Sequence, residues 1–105
     1  MENKSKVETF IGFAMRAGKY KIGANAIATL KKANLIIVCG TASENSKKLA
    51  EKYARRFNAQ LLETTNKTLS EFTHRDNAKM MAITDPTLAK AVLDNSENYL
   101  IARIF

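Results

Sequence analysis

Apolar residues recur every three or four positions at the start of the chain. Val7, Phe10, Ile11 and Ala14 fall on one side of a helix over residues 4–17, which Gly18 ends. "KYKI" (19–22) reads as a short extended piece, and a second helix is expected from about Ala24 to Ala33, with Ile27 and Leu30 facing inward. "LIIVCG" (35–40) is continuously apolar and β-branched, the pattern of a central strand covered on both faces.

Thr41-Ala42-Ser43-Glu44 then has the form of a capping box, in which the Thr41 hydroxyl and the Glu44 carboxylate exchange bonds with backbone amides. The helix it opens extends to about Phe57 and buries Leu49, Tyr53 and Phe57. Glu44 and Lys48, and Glu51 and Arg55, are four apart in the favourable order for ion pairs. "AQLLET" (59–64) is a further strand, "NKTLSEF" (66–72) a short helix and "KMMAIT" (79–84) another strand. Asp85-Pro86 starts a helix with Asp as N-cap and Pro at the first helical position, and Leu88, Ala89, Val92 and Leu93 form its apolar face. The tail 97–105 fits a strand or a helix equally. Alternation of helices and strands with short turns predicts one domain over residues 1–105, a three-layer α/β/α sandwich around a sheet of about four strands.

Composition adds a class and a partner. A chain of 105 residues that is 46 % hydrophobic, with one Pro and four Gly, can bury an ordinary core. The opening "MENKSK" lacks the apolar segment of a signal peptide, and no apolar run has the length to span a bilayer. A cytoplasmic protein without a membrane role is the expectation, and the single Cys39 agrees with it.

Charge is the first functional clue. Seventeen Lys and Arg against ten Asp and Glu give +7. Residues 1–32 carry +5, residues 33–59 carry +3 and residues 60–105 carry −1, with no acid between Glu8 and Glu44. A one-sided positive field of this kind attracts polyanions, although small proteins are also basic for solubility alone.

Catalytic patterns are missing. One His (His74) and one Cys (Cys39) are too few for a zinc site, and there is no nucleophile elbow, phosphate loop or dinucleotide turn. No catalytic residue, metal or cofactor is expected. Cys39 reads as a small core residue and His74 as an exposed turn residue. The basic face of the third helix (Lys48, Lys52, Arg55, Arg56) fits a phosphate track and a solvated surface equally well.

"KYKIGANAIATLKK" (19–32) carries more. On a helix from Ala24, Asn25, Thr29 and Lys32 share one face, opposite Ile27 and Leu30. Gly23 permits a tight turn and the first helical amides are free donors, surrounded by Lys19, Lys21, Lys31 and Lys32. Asn25 either caps its own helix or offers its amide to base edges, and the two readings stand level on physics.

At this point the chain resembles a known family. "IGFAMRAGKYKIGANA", "LIIVCGTASENSKK" and "MMAITDPTLAKAV" match, in order and spacing, the kink-turn-binding ribosomal proteins of the L-seven-Ae and L-thirty-e type, most closely their small bacterial YlxQ-type members. The resemblance covers roughly residues 7–93. It implies an α/β/α sandwich of L-thirty-e type with a mixed sheet, and binding to RNA at kinks that contain tandem sheared G·A pairs. Carried over, the first contact is Gly23, Ala24 and Asn25 with Lys21 before it. The second is the loop and strand start at Asn77, Ala78, Lys79 and Met80.

In that family an acid commonly follows the Asn, with a Lys three positions later; here those places hold Ala26 and Thr29. The resemblance thus implies a non-enzymatic, monomeric protein tied to ribosomes or translation, with ribosomal or other structured RNA as partner. Two rivals stand beside it: a protein-interaction module of the same fold, and an RNA-binding accessory domain for a modifying enzyme.

Overall fold

A computed structural model of the chain describes residues 6–65, 67–96 and 100–102. Its elements alternate as α1 (Lys6–Arg16), β1 (Tyr20–Ile22), α2 (Ala24–Ala28), β2 (Leu35–Val38), α3 (Glu44–Phe57), β3 (Gln60–Thr64), α4 (Leu69–Thr73), β4 (Met80–Ile83), α5 (Pro86–Asp94) and β5 (Leu100–Ala102). The strands form one mixed sheet in the order β1-β4-β2-β3-β5. β2 and β3 are parallel, β4 runs antiparallel to both β1 and β2, and β5 runs antiparallel to β3.

That topology explains the layers. β1, β2 and β3 all point the same way, and each successive strand lies further across the sheet. Right-handed crossovers then put both connecting helices on one face. α2 and α3 do pack together there, while α1 packs against α4 and α5 in the opposite layer. The result is an α/β/α sandwich.

Central position decides which strands are wholly apolar. β2 lies between β4 and β3, and Leu35, Ile36, Ile37 and Val38 are all fully buried. Each such side chain contributes about 1.5–3 kcal/mol relative to exposure. β4 is covered in the same way, from Met80 to Ile83. Cys39, at the end of β2, is a buried core residue, as expected.

The mixed sheet of about four strands is present and gains a fifth from part of the tail, 100–102, whose sequence fits strand and helix equally and which pairs with β3; residues 97–99 and 103–105 lie outside the described residues. Several local expectations are corrected. α3 is not capped by Thr41. The chain first turns at Gly40–Ala42 to leave the sheet, with the Ala42 N–H bonded to the Cys39 carbonyl at 3.0 Å. The cap therefore falls on Ser43, whose hydroxyl accepts from the Ser46 N–H at 3.1 Å. Thr41 instead sets its hydroxyl 3.1 Å from the Cys39 sulfur.

A true capping box occurs at Thr68 and Glu71 of α4. Glu44 and Lys48 form no ion pair. On α3, Ala50, Tyr53 and Ala54 are buried, whereas Leu49 and Phe57 pack on the core from its margin.

Candidate nucleic-acid interface

α2 is shorter than its apolar pattern suggests, and its start decides the role of Asn25. β1 ends at Ile22, and the Gly23 N–H donates to the Met80 carbonyl at 2.9 Å. Gly23 has φ 96° and ψ 146°, a backbone that L side chains rarely adopt, so glycine is needed for this entry into the helix. Gly23 is itself the N-cap, and no side chain caps the helix.

Asn25 is the second helical residue. It is exposed, and its side chain has no hydrogen-bond partner among the described residues. The capping reading is therefore excluded. Ala24 is half-buried, and its carbonyl accepts a bond from the Tyr53 hydroxyl at 3.3 Å. A helix of five residues has little macrodipole. What it offers are individual first-turn amides without intrahelical partners.

The second loop lies directly beside this turn. β4 is inserted between β1 and β2, so the start of β4 meets the end of both. The Lys79 carbonyl accepts from the Cys39 N–H at 2.8 Å, which leaves the Lys79 side chain exposed on the same edge as Gly23. Asn77 is exposed with φ 60°, a left-handed conformation that Asn tolerates.

Ala78 and Met80 differ from expectation. They are only 1 % and 2 % exposed. Met80 opens a strand covered on both faces, and Ala78 packs behind the loop, so the side chains of both belong to the core.

Alongside β1, next to these loops, runs a groove of about 600 Å³, lined by Gly18, Tyr20, Lys21, Ile22, Ala26, Arg75 and Asp76. Arg75 donates from Nη2 to the Tyr20 hydroxyl at 3.1 Å and so stands over one wall. Sequence reasoning missed this pair, because 55 residues separate its members and neither sits in a motif.

Other expected contacts lie further off. Lys19 is exposed at the far end of β1, where its carbonyl accepts from the Thr84 N–H. Thr29 is exposed, but it is the C-cap of α2 and its hydroxyl donates back to the Ala26 carbonyl at 2.7 Å. Lys32 stands beyond the helix, in the connection to β2. It therefore does not share a helical face with Asn25. His74 is exposed, with Nε2 3.6 Å from the buried Glu8 carboxylate, which also takes a 2.8 Å bond from Lys67.

The basic residues are sorted by layer. Residues 24–57, which span α2 and α3, carry seven bases and two acids, whereas α1, α4 and α5 together carry three of each. Lys47 is bound to Glu63 at 3.4 Å. Arg56 is also committed within the fold. Its Nη1 and Nη2 donate to the carbonyls of Ala28 and Leu30, each at 3.4 Å, and its guanidinium lies 5.1 Å from the Phe57 ring centroid.

Arg56 thus satisfies carbonyls that the C-terminus of α2 leaves free. Arg56→Ala should cost about 0.5–1.5 kcal/mol, enough to lower the melting temperature by several degrees in a domain of this size. Lys52→Ala should leave it unchanged in the same thermal melt. Equal melting of the two variants would remove Arg56 from this role.

Glu71 and Cys39 titrate away from their ordinary values, and both serve the α4 end of the molecule. The backbone N–H and hydroxyl of Thr68 hold the Glu71 carboxyl below the usual range. Burial pushes the Cys39 thiol up, but hydrogen bonds involving Thr41, the Leu69 N–H and Thr64 outweigh it and bring the thiol below its ordinary value. These bonds fix the turn after β2 and the start of α4. No family model matches the chain, and no curated protein matches its sequence significantly.

Proposed function

We propose that this chain is a non-enzymatic RNA-binding protein that grips a kinked, structured RNA at the Gly23–Asn25 turn and the neighbouring Asn77–Lys79 loop. The observation that supports it best is Asn25: an exposed amide with no internal role, held by a glycine-only turn on the basic side of the sandwich. An Asn amide can donate and accept at one base edge. Lys21 and Lys79 flank it with exposed cations that have no ion-pair partner among the described residues, suited to phosphates. The groove beside it, with Tyr20 and Arg75 on its wall, suits an unstacked base, since aromatic rings and guanidinium planes both stack on bases. Together with the sequence resemblance, this favours RNA bent at sheared G·A pairs, in a ribosomal or translational setting.

Ala26 and Thr29 make the site weaker than that of a typical relative. Ala26 offers no acceptor to a guanine, and Thr29 supplies no charge. A hydrogen bond that involves a charged group is worth about 1.5–3 kcal/mol, so each loss costs roughly tenfold or more. Ala26→Glu with Thr29→Lys should therefore raise affinity for a kink-turn RNA at least about tenfold, measured beside the same RNA with its G·A pairs replaced. A gain on the intact RNA alone supports the reading. Equal binding of both RNAs by wild type and variant would show that the surface recognises something else.

A further inference from the structure

The row Lys48, Lys52, Arg56 runs along one flank of α3 at intervals of four residues. Its last member reaches the carbonyls at the end of α2, and Tyr53 bonds the carbonyl of Ala24 at the start of α2. These bonds lay the whole of α2 against the C-terminal part of α3. Lys52 is the neighbour of Tyr53, whose hydroxyl reaches the first residue of α2, and Lys48 lies about 6 Å further towards the start of α3 by helical rise. Both lysines are exposed, and neither has an ion-pair or hydrogen-bond partner among the described residues.

We propose that Lys48 and Lys52 form a second, sequence-indifferent contact for the phosphate backbone of an RNA duplex arm, continuous with the α2 turn; this rests on the RNA reading above. Two lysines about 6 Å apart in backbone rise along one helix give point charges without a planar fork, suited to phosphates more than to base edges. No ring is offered for stacking on this flank, since Tyr53 is buried and Phe57 packs on the core. An acidic protein partner fits less well, because specific protein interfaces have apolar centres. Phe13, on α1 in the opposite layer, is the exposed large hydrophobic residue among those described. Acids bound the strip: Glu44 stands one turn before Lys48, and the half-buried Glu51 lies between the lysines in sequence.

The test titrates two RNAs, a kink-turn RNA and a plain duplex of the same arms, over a range of salt concentrations. The proteins are wild type, Lys48→Gln/Lys52→Gln, Lys48→Arg/Lys52→Arg and Asn25→Ala. The Gln variant should lower the slope of log affinity against log salt by about 1.4–1.8 on both RNAs, at 0.7–0.9 per phosphate contact. Its preference for the kinked RNA should not change, and the Arg variant should keep the wild-type slope. A wild-type slope in the Gln variant would overturn the α3 contact, even where Asn25→Ala has lost its preference for the kink. If wild type binds the two RNAs equally while the Gln variant loses slope on both, the kink reading fails and the α3 contact stands.

Discussion

Raising monovalent salt from about 50 to 200 mM should weaken binding of a structured RNA by roughly 100- to 500-fold, for about five phosphate contacts at a slope of 0.7–0.9 each. The expectation rests on where the cations are and how few are neutralised. Lys21, Lys48, Lys52 and Lys79 are exposed and unpaired among the described residues, and Lys31 and Lys32 stand exposed in the connection after α2. Lys47 and Arg56 do not count towards the slope, because Glu63 and the α2 carbonyls already hold them. The net charge of +7 alone would overstate the effect, since the α1–α4–α5 layer is balanced. Fluorescence anisotropy at four or five salt concentrations reads the slope directly. A flat line would mean that binding, if any, is carried by stacking or apolar contact, and the polyanion reading would fall.

Much of this arrangement was legible in the sequence because it is set by short-range physics. The unbroken run Leu35–Val38 and the Asp85-Pro86 start each state their structure locally, and both hold: the strand is buried and the Asp85 carboxylate accepts from the Leu88 N–H at 3.0 Å. Capping was less legible. Thr41 and Ser43 are both competent caps, and the choice between them depends on how many residues the chain needs to clear the sheet. The end of α2 was misplaced for a similar reason. Its apolar spacing continues to Leu30, but bonds of the 3₁₀ type at Thr29 and Leu30 tighten it and turn it towards β2.

The candidate site divides along the same line. Gly23 and Asn25 are neighbours in sequence, so their turn could be read from residue types. Arg75 over Tyr20, Arg56 beneath α2 and the inward turn of Ala78 and Met80 come from strand order, which places β4 between β1 and β2. No local pattern carries that information.

Asn25→Ala should leave the fold intact and cost about 1–3 kcal/mol of RNA affinity, or roughly 5- to 150-fold. Both halves follow from the position of the residue. As an N-cap, Asn25 would contribute about 1 kcal/mol to stability, and its loss would lower the melting temperature. It is the second residue of α2, exposed and without an internal bond, while Gly23 fills the cap. Alanine has the higher helix propensity, by up to about 0.7 kcal/mol, so the variant should melt at the same temperature or slightly above it. On the proposed reading, the affinity lost should fall on the kinked RNA and vanish on a control without G·A pairs, because an Asn amide can read base edges whereas lysines contact phosphates. Thermal melting and the paired titrations separate the possible roles. A lower melting temperature with unchanged affinity would make Asn25 a structural residue after all, and an equal loss on both RNAs would reduce it to a backbone contact.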